Sequence, residues 1–203
     1  MAADSVPTTR AERQAQTRAR LIEVARGLFL HDGYAATSLD RVAVEAGYSK
    51  GAVYSNFSGK EELCLAVLDS IHEQQIAGVV EAFTGEGDLD TRIDAFAAWS
   101  RVGIGRPRAM ALEVEFAAIA RHSSYVATEL RKRHREIRQT TADLIRLVAE
   151  QEGFELEQTA EEAATVLLSL GIGLGALRSL DHDVDVGVFA DTMHVLLRGS
   201  RRA

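Results

Sequence analysis

Cysteine, proline and strand-like alternation are scarce in this 203-residue sequence, and each scarcity excludes something. One cysteine, Cys64, rules out an intrachain disulfide framework and a multi-cysteine zinc site, so a reducing interior is expected. Its plain reading is a small apolar residue packed in a helix. Only two prolines occur, Pro7 and Pro107, and long alternating apolar/polar runs are absent, which points to an all-α chain. No run approaches the ~18 apolar residues of a membrane helix and the N-terminus lacks the apolar core of a signal peptide, so a cytoplasmic protein is expected. HExxH, G-x-S-x-G, paired CxxC and Walker patterns are missing, and the six histidines are scattered. No enzyme activity, metal or cofactor is expected.

A net charge of −7 argues at first against a nucleic-acid partner, but the charge is unevenly spread. Residues 1–60 carry eight Lys/Arg against six Asp/Glu, and the remainder carries fifteen against twenty-four. Such asymmetry fits a DNA-facing head on an acidic body.

The most informative stretch runs from Thr37 to Leu63. Leu39, Val42, Ala43 and Ala46 recur at helical spacing, Thr37 with Asp40 three residues on forms a capping-box pattern, and Gly47 stops the helix. A second helix begins at the N-cap Ser49 and runs through Phe57 before Ser58-Gly59. Two short helices about a glycine turn make either a plain αα-corner or a helix-turn-helix. The run resembles the DNA-binding region of the TetR family of bacterial transcriptional regulators. Thr37-Ser38, Ala46-Gly47, Ser49, Gly51, Tyr54, Phe57 and Lys60 stand at the family's pattern positions. The resemblance is specific over residues 16–68.

Within this frame, helix starts offer free N–H groups to phosphate, which nominates Thr37, Ser38 and Ser49 as backbone contacts, with Arg41 pointing outward beside them. Tyr54 and Lys60 join this set because the resemblance implies phosphate contacts there. Gly51 and Ala52 lack bulk and let the second helix sink toward base edges, where Lys50, Ser55 and Asn56 would hydrogen-bond. Val53 and Phe57 are assigned to the core of the head. Taken outside the motif, Lys50 and Lys60 read as solvated lysines.

Around the motif, residues 1–15 read as a flexible arm, whose Arg10 and Arg13 are either solvated tail charges or reach for DNA. The head spans 16–60, with Leu21, Val24, Ala25, Leu28 and Phe29 as the stripe of its first helix, and the body spans 61–203. A helix from Lys60 to about Phe83 links the two, and Thr84–Asp90 is the clearest interior loop. Further helices are expected over about 91–104, 108–120, 124–152 and 186–198, with another opening at a Thr159/Glu162 capping box. About nine helices result.

In the body, Glu113 and His134 fall on otherwise apolar faces, where they are satisfied by neighbours or serve a site. The resemblance implies a small-molecule pocket, and pockets are mostly apolar with a few placed polar groups. Its lining candidates are Ile71, Phe96, Trp99, Met110, Glu113, Phe116 and His134. Gly171-Ile-Gly-Leu-Gly175 follows no strand, so a nucleotide-binding reading is rejected. Glycines inside a helix need a packing reason. The resemblance implies that the last two helices pair with those of a second copy, and Leu167, Gly171, Leu174, Gly175, Phe189, Met193 and Leu196 are nominated for that interface. The sequence therefore reads as an effector-responsive regulator, a repressor in sign. It would bind a palindromic double-stranded DNA operator as a homodimer and be released by a small, largely apolar molecule. The alternative is a helical ligand-binding or scaffolding protein that does not read DNA.

Overall fold

The computed structural model describes residues 9–103, 107–153 and 155–198, apart from the side chains of Pro107, His194, Leu196, Leu197 and Arg198. Among the described residues there are nine helices and no strand. They are α1 (Arg10–Asp32), α2 (Leu39–Ala46), α3 (Lys50–Tyr54), α4 (Lys60–Thr84), α5 (Leu89–Gly103), α6 (Pro107–Ile119), α7 (Ser124–Glu152), α8 (Ala160–Leu180) and α9 (Gly187–Arg198). The expected all-α architecture is present.

Capping chemistry sets several boundaries. Glu12 N–H donates to Thr9 Oγ1 at 3.2 Å and Thr9 N–H to Glu12 Oε2 at 2.6 Å, so a full capping box starts α1 at Arg10. Residues 10–15, expected in a flexible arm, are therefore helical, and Arg10 and Arg13 are exposed on that first turn. The start of α2 also differs from expectation: Ser38 is the N-cap, accepting Arg41 N–H at 3.2 Å, while Thr37 lies one residue too early. Gly47 ends α2 in the left-handed region (φ 76°, ψ 26°), where a side chain would be strained. The expected Thr159/Glu162 box opens α8.

The chain divides into two compact units, Met1–Ser70 and Ile71–Ala203, so the boundary falls within α4, ten residues beyond the expected 60/61 division. In the first unit α1 packs on α2 and α2 on α3. Leu21, Ala25, Phe29, Val42, Val53 and Phe57 are all at most 1% exposed, so the 3.6-residue stripe read from α1 is its buried face. Cys64 is fully buried among them.

In the second unit α7 and α6 pack on α8, and α5 and α8 on α9. Phe96 occupies its centre, with ring centroids 5.5 Å from Phe83, 5.5 Å from Trp99 and 5.4 Å from Phe189. One expectation fails here. Ala160–Leu180 is long and apolar enough to cross a membrane by length and composition, holding an 18-residue window of mean hydropathy 1.6 of which 28% is buried. Two acidic residues in its first turn and three interior glycines had obscured that run.

Candidate DNA-reading surface and body cavity

The head presents one outward surface around α3. Lys50, Gly51, Tyr54 and Ser55 are exposed there, and Tyr54 leaves 58% of its surface open although it is a large aromatic residue. Val53 and Phe57, on the opposite side, are buried, which fixes the face that α3 turns outward. The glycine at 51 has only Ser49 Oγ, at 3.8 Å, near the position a Cβ would take, so this end of α3 carries almost no bulk.

Around that surface, local hydrogen bonds revise several roles. Thr37 is 1% exposed and its hydroxyl donates to Gly33 O at 3.0 Å, so its side chain is spent inside the head and is not available to phosphate. Ser49 caps α3 by accepting Ala52 N–H at 3.2 Å, just as Ser38 caps α2. Both leave helix-start N–H groups facing outward, and their hydroxyls serve the helix first. Arg41 reaches back to Asp32 at 2.9 Å, and Lys60 donates to Ala35 O at 3.2 Å with its ammonium 4.2 Å from the Tyr34 ring centroid.

Asn56 departs most from expectation. The helix α3 ends at Tyr54 instead of running on to Phe57, and the Asn56 amide donates to Ala52 O at 2.8 Å to close that end. Its Oδ1 is buried without a partner, and its own carbonyl accepts Arg18 Nη1 at 2.6 Å. The side chain that was expected to read bases is a local C-terminal clamp. Ser55 likewise donates to Ala52 O, at 2.9 Å, but remains exposed.

Lys50 Nζ lies 2.5 Å from Asp40 Oδ2, and this hydrogen bond, ahead of the carboxylate's charge, raises the ammonium above its ordinary value. The pair is exposed and screened by solvent, so Lys50 exchanges Asp40 for another anion at little cost. Arg18 has three partners here. It lies 4.2 Å over the Phe57 ring, bonds Asn56 O and approaches Glu62 at 3.8 Å, so it ties α1 to the chain end of α3.

The second unit holds a cavity of about 220 Å³. Of the nominated residues, Phe96, Trp99, Met110, Glu113 and His134 line it, whereas Ile71 and Phe116 do not. Ile71 is 4% and Phe116 0% exposed: both belong to the packed interior. His134 sits exposed at the rim. The polar partner that was missed is His72, whose Nε2 lies 2.9 Å from Glu113 Oε1. It is next in sequence to Ile71, so a single-residue error in the phase of α4 explains both the wrong nomination and the omission.

Trp99 owes its seat to two glycines. A Cβ on Gly78 would lie 1.9 Å from the indole Nε1, and one on Gly103 3.2 Å from its Cζ2. No group of three or more His, Cys, Asp or Glu side chains able to hold a metal ion occurs among the described residues.

The sequence matches the family model described as bacterial regulatory proteins of the tetR family over residues 21–67, and the BetI-type transcriptional repressor C-terminal model over residues 91–198. The second match alone covers more than half of the chain. This chain belongs to the TetR family. The regulator UidR of Escherichia coli K12 is 27% identical over 81% of this chain and 82% of its own. The match to ArpR of Pseudomonas putida, a probable transcriptional regulator, is 41% identical but spans only 42% of this chain and 40% of that one. Among solved structures, Salmonella enterica GusR superposes with a TM-score of 0.64 at 24% identity, over 91% of this chain and 94% of that one. A TetR transcription regulator from Haloarcula marismortui gives 0.71 at 18% identity, over 93% and 100%, and both structural likenesses speak for the fold.

As a TetR-family member the protein is a helix-turn-helix DNA-binding transcriptional regulator, and its relatives are named as regulators, not enzymes. The residues nominated for a subunit interface nevertheless lie elsewhere than expected. Leu167, Leu174, Gly175, Phe189 and Met193 are buried within the second unit, and Gly171 faces Phe189, whose Cε2 lies 3.3 Å from where its Cβ would be. Four of them, Leu167, Gly171, Phe189 and Met193, line the cavity. The side chain of Leu196 lies outside the described residues. The exposed apolar residues of these helices are Val166, Ile172, Leu177 and Leu180 on α8 and Val188 and Val195 on α9.

Proposed function

We propose that the protein is a cytoplasmic repressor that binds a palindromic operator as a homodimer and leaves it when a small, largely apolar molecule enters the cavity. The observation that carries the effector half is the cavity itself: about 220 Å³ of mostly apolar lining around one His72–Glu113 pair. Room for many waters behind so apolar a wall has no structural purpose and suits an organic ligand. The similarity to the BetI-type repressor C-terminal model supports the sign of regulation.

On the DNA side, Lys50, Gly51, Ala52 and Ser55 form the reading surface, and the exposed Tyr54 beside them contacts phosphate. The helix-start N–H groups beside Ser38 and Ser49, together with Arg41 and Lys60, grip phosphate. Arg41 and Lys60 exchange their present partners for it. The exposed face of α8 and α9 is the subunit interface: Val166, Leu177 and Leu180 are 43–87% exposed in the single chain, an apolar face that needs cover. Twofold pairing presents two copies of α3 to major grooves ~34 Å apart.

Coupling requires that the ligand bind one arrangement of the dimer more tightly than the other. The helix α4 contributes His72, Ile76 and Val79 to the cavity wall, and its first residues belong to the DNA-reading unit. Operator selection from a random DNA pool, followed by anisotropy titration over a range of salt, tests the reading. Sequence-specific binding with a steep salt slope is expected. Binding that is equal for all sequences, or absent, would leave the ligand-binding alternative without DNA reading.

A further inference from the structure

We infer that the cavity takes a lipophilic organic monocation, with the charged nitrogen at Glu113 and the apolar body against Phe96, Trp99 and Phe189. The inference rests on the reading of this cavity as the effector site and specifies the chemistry of what it holds. Glu113 is the one carboxylate among the described lining residues, and no Lys or Arg joins it.

The carboxylate is half spent. His72 Nε2 lies 2.9 Å from Oε1, while Oε2 accepts no hydrogen bond from the described residues. His72 donates from Nε2 to Oε1 and so orients the carboxylate, leaving Oε2 turned to a ligand. Both side chains are mostly withdrawn from solvent, at 17% and 20% exposure. A carboxylate held there with no Lys or Arg beside it is costly, and a bound cation relieves that cost.

Nearby positive charge is directed elsewhere. The basic run of α7 bonds along its own helix: Arg133 to Glu129 at 2.6 Å, Lys132 to Glu136 at 4.0 Å and Arg131 to Thr128 at 3.1 Å. None of the three lines the cavity. An anionic amphiphile would thus meet Glu113 with like charge and find no Lys or Arg, and a neutral ligand would leave the carboxylate unpaired. The ring cluster completes the site. Phe96 lies 5.5 Å from Trp99 and 5.4 Å from Phe189, and aromatic faces attract cations as well as apolar groups.

Three probes of one shape separate the possibilities: 4-phenylbutylammonium, 4-phenylbutanol and 4-phenylbutyrate, titrated into the full-length protein by calorimetry. Trp99 is the sole tryptophan and lines the cavity, so its emission reports occupancy in parallel. The ammonium is expected to bind ~10-fold tighter than the alcohol, with the carboxylate weakest. Glu113→Gln should remove that ~10-fold advantage and leave the alcohol's affinity unchanged. His72→Gln keeps a donor for Oε1 and cannot be charged, so the order should persist. Equal binding of ammonium and alcohol, tighter binding of the carboxylate, no binding of any probe, or an unchanged order in a folded Glu113→Gln protein would each overturn the assignment. Ordered binding that leaves operator affinity untouched would instead refute the release mechanism while this site chemistry stands.

Discussion

Replacing Gly78 by alanine should destabilise the protein, although alanine is the better helix former. In a helix interior, glycine to alanine ordinarily gains ~0.5–1 kcal/mol. Gly27 of α1 is the reference: nothing lies within 4 Å of where its Cβ would be and its φ is not positive, so Gly27→Ala should realise that gain. At Gly78 the new methyl would sit 1.9 Å from Trp99 Nε1, 2.6 Å from Cδ1 and 2.7 Å from Cε2. It is thus about 1.5 Å short of ordinary contact at ~3.5 Å, and a rigid indole cannot bend away. Retreat is limited by Phe96, at a centroid distance of 5.5 Å, and by Gly103, leaving the cavity as the open direction. Overpacking costs ~1–3 kcal/mol, which against the helix gain leaves a net loss of about 1 kcal/mol. For a chain of this size that is ~2–4 °C in Tm, with the opposite sign at Gly27. Thermal melts of both variants, read with Trp99 emission, decide the matter. If Gly78→Ala melts higher, as Gly27→Ala should, with an unshifted emission maximum, the close seat of the indole on α4 is refuted.

Lys60→Ala should weaken operator binding and lower the magnitude of the salt slope by about 1, since one phosphate-neutralising charge is lost; an unchanged slope in an anisotropy titration would keep Lys60 off the backbone. Glu62 accepts hydrogen bonds from Ser58 N–H and Oγ–H at 2.8 and 2.7 Å, and these, with Arg18's charge, hold its carboxyl below the ordinary 4.5. A depressed folded-state value contributes stability that is present above the unfolded value and lost as pH falls through the folded one. Glu62→Gln should therefore flatten the loss of stability below about pH 4.5, measured by denaturant titration across that range. Thr159→Ala removes the cap of α8 and should cost about 1 kcal/mol, seen as a lower midpoint in the same titration at neutral pH.

How much of the head was legible follows from how local its determinants are. Gly47, Ser49, Val53 and Phe57 act within a few residues of sequence, and spacing alone located the turn and the buried face of α3. What escaped the sequence were competitions between partners. Thr37 and Ser38 are both good caps, and only the chain's path assigns the cap to Ser38 and turns the Thr37 hydroxyl inward to Gly33. Asn56 has the chemistry to read an adenine, but a carbonyl four residues earlier is nearer than any base. Arg18 stands 38 residues from the carbonyl it bonds, a distance no local pattern spans.

The body was legible in outline and misleading in phase, for a reason that α8 makes plain. A helix apolar on one side announces which face it buries, but α8 is apolar around most of its circumference, so periodicity cannot choose between faces. Gly171 and Gly175 looked like a stripe for a partner helix; in the fold one faces Phe189 and the other is buried within its own unit. Gly173, by contrast, has nothing within 4 Å of its missing Cβ, and it lies beside Ile172, which is 43% exposed. A helix interior tolerates an uncompensated glycine only at a cost of ~1 kcal/mol. The packing reason that the sequence asked for is therefore met inside the chain at two of the three glycines and left open at the third. That open position, on the same exposed side as Val166, Leu177 and Leu180, is where a second copy would approach most closely. Leu177→Glu should split the proposed dimer in sedimentation equilibrium, because each subunit would bring a carboxylate into an apolar contact. Leu167→Ala, directed inward, should lower the melting temperature and leave the dimer intact; the reverse pattern would return the interface to the face first read from the glycines.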